Sequence, residues 1–143
     1  MTTGVFDLLH PGHVHMLQEA KKLGDELVVV IARDASVKRE KHATITPEEH
    51  RRDMVQALKP VDRAVLGHHG DYYRIVEEMQ PDIFALGFDQ KYDEAEVQAE
   101  FDRREIACKV VRLPQFAGDL QGTRKIIEKI AERAAEKSLY GGS

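Results

Sequence analysis

The chain has 143 residues, a formal net charge of −4, an apolar fraction of 42% and a charged fraction of 32%. This length and composition are typical of one globular domain with a hydrophobic core of its own. The acidic balance argues against a nucleic-acid-binding protein, which usually carries a basic excess, and no apolar run approaches the ~18 residues of a membrane-spanning helix.

The first residues contain neither a basic region nor an apolar segment of signal-peptide length. Cys108 is the single cysteine, so no intrachain disulfide can form, and a reducing cytoplasm is the expected compartment. Because Cys108 lies in an apolar run, we expect a small core residue rather than a nucleophile.

The first half of the chain begins with a short apolar run and a helical pattern. Only three residues precede Gly4, so the first strand is expected to be unusually short. A helix is predicted over 11–23, with Gly24 as its C-terminal cap. The inward residues of this helix are expected to be Val14, Leu17 and Ala20. The run 27–32 is continuously apolar and β-branched, as in a strand that is covered on both faces.

The polar stretch 33–44 is predicted to be a loop. Thr46 is the predicted N-cap of the next helix and Glu49 its capping-box glutamate, with a proline between them in the first turn. This helix is predicted to end near Pro60. Its expected core residues are Met54, Val55 and Leu58.

The second half continues the alternation of strands and helices. Its predicted strands cover 64–66, 82–87 and 108–113. Its predicted helices begin at Asp71, cover 94–104 and cover 123–137, and 139–143 should fray. The residues expected to be buried in the first and last of these helices are Ile75, Val76, Met79, Ile126, Ile127 and Ile130.

This alternation predicts an α/β fold, with one domain over 1–143, a parallel five-stranded sheet and helices on both faces. In such sheets, ligands bind beyond the carboxyl ends of the strands. The segments that carry chemistry each follow a predicted strand, and they are 10–13, 33–41, 87–90 and 114–124. We therefore expect one crevice that is built from four separated segments.

The decapeptide that starts at Gly4, GVFDLLHPGH, places His10 and His13 at the start of a predicted helix. Residues three apart on a helix share a face, so both imidazole rings can point at one ligand. Pro11 suits the first helical turn, Gly12 allows a ligand to approach the backbone, and the free helix amides attract an anion. The decapeptide therefore predicts a phosphate-binding site.

The alternatives for this pair are a surface or capping role, or a zinc site that also includes His15. His15 lies two residues from His13 and should face another direction. Neither a cysteine pair nor a His-Glu-x-x-His pattern accompanies the histidines. The sequence therefore predicts no metal site made of protein ligands.

The decapeptide resembles the His-x-Gly-His signature of a nucleotidyltransferase superfamily, in which it follows the first strand of a Rossmann-like domain. The superfamily includes glycerol-3-phosphate and phosphoethanolamine cytidylyltransferases, pantetheine-phosphate adenylyltransferase and archaeal FAD synthases. The segments 30–34 and 87–91 most resemble the archaeal FAD synthase branch. The resemblance covers nearly the whole chain, and its other segments are 27–34, the lysines near residue 40, 49–51 and 122–126.

The resemblance implies roles for individual residues. Four are expected to be catalytic, since they would contact phosphate groups: His10, His13, Lys41 and Arg51. The expected nucleotide-binding residues are Val5, Phe6, Asp7, His10, Gly12, His13, Gly87, Asp89, Gly122, Thr123 and Arg124. The expected acceptor-binding residues are Asp7, Tyr92 and Phe116.

The residues alone leave alternatives open at these positions. The basic cluster around Lys41 is also typical of a solvated loop, and Arg51 is also placed for a surface ion pair with a neighbouring glutamate. Thr123 suits an N-cap, and Asp7 suits a cap on the turn into the first helix. Asp89 is expected to contact the amino group of adenine or the ribose hydroxyls.

The resemblance implies adenylyl transfer from ATP to FMN, with in-line attack of the FMN phosphate on the α-phosphorus of ATP to give FAD and pyrophosphate. Mg²⁺ or another divalent cation is expected with ATP, held mainly by phosphate oxygens and water. The expected partners are thus ATP and FMN, with no nucleic acid and no membrane, and the protein is expected to be a homodimer.

Two other functions compete with this one. The first is a CTP-dependent cytidylyltransferase for glycerol-3-phosphate or a similar small phosphate ester. Gln115 departs from the Arg-Thr-Glu-Gly stretch of the cytidylyltransferases, which weakens that interpretation. The second is a nucleotide-binding module without catalysis, as occurs on shared folds.

Overall fold

The computed structural model describes residues 1–40, 43–116 and 122–136. In these ranges the strands are β1 (Thr2–Gly4), β2 (Val28–Ile31), β3 (Arg63–Leu66), β4 (Ile83–Leu86) and β5 (Lys109–Arg112). The helices are α1 (Pro11–Lys21), α2 (Asp34–Glu40), α3 (Glu48–Gln56), α4 (Arg74–Met79), α5 (Glu94–Arg103) and α6 (Thr123–Ala135). All strand pairs are parallel, in the order β3-β2-β1-β4-β5. The predicted α/β sheet is therefore confirmed, with a central strand of three residues as expected.

Helices cover both faces of the sheet, and each face has its own apolar core. On one face, residues of α1 and α3 pack with Val29 and Ile31 of β2. On the other face, residues of α4 and α5 pack with Val30 of β2 and with Phe84 and Leu86 of β4. Successive side chains of a strand point to opposite faces, so a strand covered on both sides is apolar throughout. Cys108 lies in the second core, as predicted.

The prediction of a loop over 33–44 is wrong, because Asp34–Glu40 form helix α2. Val37 is its one apolar side chain besides an alanine, and it is buried. This pattern is too sparse to indicate a helix by periodicity. The charges favour the helix, with an aspartate in the first turn and Lys38 and Arg39 in the last, which complements the helix dipole.

Helix α3 differs from its prediction in both its start and its buried face. Pro47 is the N-cap and offers no side-chain bond, whereas the carboxylate of Asp34 accepts one from the N–H of Glu48 (3.2 Å). Glu48 in turn accepts bonds from the N–H of Asp34 and the guanidinium of Arg33, and Thr46 and Glu49 do not form the predicted capping box. Met54 is 57% exposed, contrary to its predicted place in the core. Arg51 is buried beside Val55. The polarity of Arg51 predicted an exposed side chain, because the sequence does not show the hydrogen-bond partners that allow an arginine to be buried.

Helix α1 ends at Lys21, two residues before the predicted end. Lys22 caps it in a right-handed conformation, with its N–H directed at the carbonyls of Gln18 and Ala20. Gly24 is therefore not the cap, since this helix end requires no left-handed residue. Leu17 and Ala20 are buried as predicted, whereas Val14 is half-buried.

Helix α6 is less buried than predicted. Ile126 and Ile127 are half-buried and Ile130 is exposed. The reason is that this helix lies at the rim of a crevice, which Ile127 lines, rather than on a complete core. In the described parts of the chain, no helix has the length and apolar composition needed to cross a membrane.

Glutamine side chains protect both edge strands of the sheet. Gln98 of α5 accepts a hydrogen bond from the N–H of Val110 (2.9 Å) and donates one to the carbonyl of Cys108 (2.8 Å). Gln56 of α3 makes the same pair of bonds along β3, at 2.7 and 3.2 Å. A side-chain amide carries both a donor and an acceptor, so it satisfies edge groups that would otherwise invite pairing with another chain.

We expect Gln98→Leu to lower the free energy of unfolding by about 1–3 kcal/mol, because it leaves an N–H and a carbonyl of β5 without their partner. Urea unfolding at pH 7 measures the change. Gln18→Leu, on the exposed side of α1, is the matched control and should stay within about 0.5 kcal/mol of the wild type. Equal effects of the two substitutions would show that the edge bonds contribute nothing.

Candidate active site

The carboxyl ends of the strands open into one crevice of about 890 Å³, as the order of the motifs predicted. It is lined by the turn after β1, by 43–45, by 87–90, by residues after β5 and by the first turns of α6. The predicted site residues that line it are Val5, Phe6, Asp7, His10, Gly12, His13, Gly87, Asp89, Phe116, Gly122, Thr123 and Arg124. Lys41 lies outside the described residues.

The structure places Tyr92 away from this crevice. Arg112 donates hydrogen bonds to the carbonyls of Gly87 and Gln90 (both 2.9 Å) and to that of Tyr92. These bonds draw the chain after β4 toward β5, so that Tyr92 lies outside the crevice lining. An acceptor contact of Tyr92 is therefore not supported, whereas Phe116 lies in the crevice as expected.

His10 and His13 form a capping box at the start of α1. The Nδ1 of His10 accepts a hydrogen bond from the N–H of Gly12 (3.0 Å), and the Nδ1 of His13 accepts one from the N–H of His10 (3.3 Å). The two rings stack with their centroids 3.8 Å apart. Because an accepting nitrogen carries no proton, each neutral ring carries its proton on Nε2. The caps therefore leave both Nε2–H groups as the donors available to a ligand.

Both histidines favour the neutral form. Burial and, to a smaller extent, the adjacent His10 lower the pKa of His13 to about 4, against the opposing effect of the carboxylate of Asp7. Burial also lowers the pKa of His10, against the opposing effect of Asp89. At neutral pH the pair therefore offers uncharged donors.

The turn between β1 and α1 is strained. Phe6 (φ 55°) and Leu8 (φ 52°) are both left-handed, a conformation that costs a non-glycine residue about 1–2 kcal/mol. Bonds to its backbone hold the turn in place. Arg51 donates to the carbonyl of Val5 (2.7 Å), and the hydroxyl of Thr123 donates to that of Asp7 (2.5 Å).

Asp7 holds a neighbouring segment rather than capping helix α1, which His10 caps itself. Its carboxylate is buried and accepts hydrogen bonds from the N–H groups of Ile45 (2.7 Å) and Thr46 (3.0 Å). The alternative of Asp7 as a helix cap is therefore wrong. Both of its oxygens are occupied by backbone donors.

Arg51 is only 1% exposed, so the alternative of a surface ion pair with a glutamate is wrong. Its guanidinium donates to three backbone carbonyls at 2.7–2.9 Å and to the carboxylate of Asp34 (2.6 Å). The carbonyls belong to Val5, Ala32 and Thr46, which follow β1, follow β2 and precede α3. Arg51 does not line the crevice, and this placement does not support the expected direct contact with phosphate.

Two further residues of the site were not predicted from the sequence. The side chain of Gln90 accepts from the N–H of Gly87 (2.7 Å) and donates to the carbonyl of Thr3 (2.9 Å), which fixes the segment that carries Asp89. His15 was expected to face away, but it lines the crevice beside Phe116, with ring centroids 5.2 Å apart. The crevice extends around the side of α1, so a residue two positions from His13 still reaches it.

The low pKa of His13 predicts a dependence of stability on pH. Between its ordinary pKa of 6.5 and about 4, the unfolded chain binds a proton that the folded protein does not. Stability is therefore complete above pH 6.5 and is lost as the pH falls toward 4. From pH 7 to pH 5, we expect His13 to contribute a loss on the order of 1–2 kcal/mol.

Urea unfolding of the wild type and of His13→Asn at the two pH values measures this contribution by difference. His50→Asn, on the exposed side of α3, is the control. NMR titration of the imidazole signals checks the cause directly, since His13 should remain neutral at pH 5. A His13 that titrates near 6.5 would contradict the expectation.

Comparison with known proteins agrees with this geometry. The cytidylyltransferase-like family matches residues 1–137. The FAD synthase of Aciduliprofundum boonei is 61% identical over 134 residues, covering 93% of this chain and 90% of that protein. The FAD synthase of Thermoplasma volcanium is 47% identical over 137 residues and covers 96% of each.

A solved structure is also similar. The crystal structure described as the lipopolysaccharide core biosynthesis protein from Thermoplasma volcanium GSS1 has a TM-score of 0.80 and 51% sequence identity. The match covers 81% of this chain and 95% of that one. The family match over almost the whole length, the identities of the relatives and the shared fold lead to one conclusion: this chain belongs to the cytidylyltransferase-like family.

Proposed function

We propose that this protein is an FMN adenylyltransferase, which transfers the adenylyl group of ATP to the phosphate of FMN and gives FAD and pyrophosphate. The observation that carries the transfer chemistry is the His10–His13 pair, with two Nε2–H donors available at the start of α1 inside the crevice. The choice of acceptor is supported by relatives named FAD synthase at up to 61% identity.

The reaction needs stabilisation of negative charge more than it needs covalent chemistry. As the FMN phosphate attacks the α-phosphorus, charge develops on the five-coordinate centre and on the leaving pyrophosphate. Donors that are fixed before the reaction stabilise this charge without reorganisation. The capping bonds of His10 and His13 supply this fixation, and the positive end of the α1 dipole adds to it.

The start of α6 offers a second place for phosphate. Gly122 is its N-cap and provides no side-chain bond, and a β- or γ-phosphate would bind at the N–H groups of this helix start. The hydroxyl of Thr123 is already bonded to Asp7, so Thr123 would bind through its backbone. Arg124 is exposed and lies 3.0 Å from the carboxylate of Glu128, from which the triphosphate would draw it.

Asp89 is the proposed contact for the adenine amino group or the ribose hydroxyls, since it is exposed in the crevice and acts electrostatically on His10. Mg²⁺ would enter with ATP and neutralise phosphate charge, held mainly through phosphate oxygens and water. The carboxylate of Asp7 is buried and already accepts a backbone bond on each oxygen, whereas Asp89 is exposed. Asp89 is the carboxylate that fits such a contact.

The remaining parts of the proposal rest on the resemblance and the composition. Lys41 is proposed to contact the triphosphate by resemblance to the family's lysines. A buried, unpaired Cys108 fits a reducing cytoplasm. The homodimer is proposed from the resemblance alone, and sedimentation equilibrium decides it.

A screen of donors and acceptors tests the function. We expect FAD, separated by chromatography, from ATP, Mg²⁺ and FMN, and at least tenfold slower turnover with CTP, because a pocket built to pair with adenine leaves buried groups unpaired with cytosine. Pyrophosphate release with glycerol-3-phosphate and with a sugar phosphate is measured in parallel. Turnover of either of these with CTP, and none of FMN, would reject the proposal.

Substitution of the histidines separates catalysis from capping. His10→Asn keeps an N-cap oxygen for the Gly12 N–H but removes the Nε2–H donor. We expect this variant to keep the melting temperature within a few degrees of the wild type, and to lose on the order of a hundredfold in turnover. His13→Ala should lose a similar factor.

His50→Ala, outside the crevice on α3, is the activity control. Binding of ATP should weaken less than turnover, because the proposed phosphate contacts at the start of α6 remain in the variants. Near-wild-type turnover of His10→Asn would show that its ring only caps the helix.

A further inference from the structure

Ile45 is the most exposed large apolar side chain among the residues that the structure describes, at 64%. It lines the crevice, together with Val37 of α2 and the neighbouring Ala43 and Thr44. An exposed isoleucine on a surface is common and by itself indicates nothing. The contacts that hold this one in place are what distinguish it.

Two buried, charged side chains fix the backbone on either side of Ile45. The carboxylate of Asp7 accepts bonds from the N–H groups of Ile45 and Thr46, and Arg51 donates to the carbonyl of Thr46 (2.9 Å). The hydroxyl of Thr44 also donates to Asp34, at 3.0 Å. Segment 43–46 is thus bonded at three successive residues. These bonds fix the backbone from which the side chain of Ile45 lines the crevice.

The position of segment 43–46 relative to the histidines makes it available to the acceptor rather than to ATP. The histidine pair follows β1, and in the sheet β2 lies on one side of β1 and β4 on the other. Asp89 follows β4, whereas segment 43–46 is bonded to Asp34 beyond β2, so the two lie on opposite flanks of the pair. Asp89 and the start of α6 mark the flank assigned to ATP. The flank of Asp7 and Ile45 remains for the molecule that attacks the α-phosphorus.

We propose that segment 43–46 is the acceptor-binding ledge, and that Ile45 packs against the flat ring system of FMN while Asp7 and Arg51 act as positioning residues. This inference rests on the function proposed above and specifies where the flavin binds. An apolar side chain packs well against a broad tricyclic ring, whereas it makes no comparable contact with a small polyol phosphate. The ledge therefore selects the acceptor, while the histidines contact the phosphates of both substrates.

Direct binding tests the ledge. FMN fluorescence is titrated with the wild type and with Ile45→Ala, Ile45→Leu and Met54→Ala, the last being an exposed apolar residue of α3 outside the crevice. We expect Ile45→Ala to weaken FMN binding about tenfold, equivalent to about 1.4 kcal/mol. Ile45→Leu should restore most of the affinity, and Met54→Ala should change nothing.

Steady-state kinetics of FAD formation provide the second measurement. Ile45→Ala should raise the KM for FMN about tenfold and leave the KM for ATP within twofold, in line with the expected loss of packing. Asp7→Asn, which keeps only one acceptor oxygen for the two N–H groups, should shift the KM for FMN more than that for ATP. A merely structural role would affect both substrates alike.

The possible outcomes distinguish a failure of the proposed ledge from a failure of the proposed function. If the wild type forms FAD but Ile45→Ala binds FMN as tightly, the ledge is wrong and the function stands. If the KM for ATP rises instead, the flanks are assigned the wrong way round and the ledge is again wrong. A wild type that neither binds FMN nor forms FAD overturns the proposed function and the ledge together.

Discussion

The site depends on one strained connection, the turn between β1 and α1. Its two left-handed residues, Phe6 and Leu8, would favour another path if the turn were free. It is held because distant parts of the chain bond to it: Arg51 from α3, Thr123 from the start of α6, and the 43–46 segment through Asp7. The turn fixes the start of α1, and with it the histidine pair. The geometry of the candidate site is therefore a property of the whole fold rather than of a decapeptide.

The charged side chains of the site bond to its backbone, whereas the side chains at its centre are neutral. The ionised side chains of Asp7 and Arg51 are buried and bond almost entirely to backbone groups, whereas the groups offered to the substrates at the centre are neutral imidazoles. Losing one partner of a buried ionic contact leaves the other without compensation, so such contacts fix geometry strictly. Arg51 thus contributes to the geometry of the candidate site through the carbonyls it holds.

The sequence was sufficient for most of the sheet, because β2 and β4, which are covered on both faces, are apolar throughout. The central strand, Thr2–Gly4, has no such pattern and was expected from the resemblance. The positions of the motifs after the strands also predicted the shared crevice. Helix α2 was not predicted because Val37 is its single buried apolar residue, which is too little to show a helical period. The orientation of α3 was missed because a buried arginine looks exposed until its carbonyl partners are known. The roles of Gln90 and Ile45 depend on partners more than 35 residues away, which local patterns do not show.

The mutual capping of the histidines also bears on product release. A neutral N–H donor holds a phosphate oxygen less strongly than a cationic donor does, because it lacks the attraction between two full charges. If the centre of the site carried two fixed cations, inorganic pyrophosphate would bind there tightly after each turnover and compete with incoming ATP. Uncharged imidazoles would instead bind most strongly while extra negative charge develops on the phosphates during the transfer. Their binding would weaken once that charge has dispersed. In the proposed reaction, the bonds that keep Nδ1 unprotonated would thus limit inhibition by the leaving pyrophosphate.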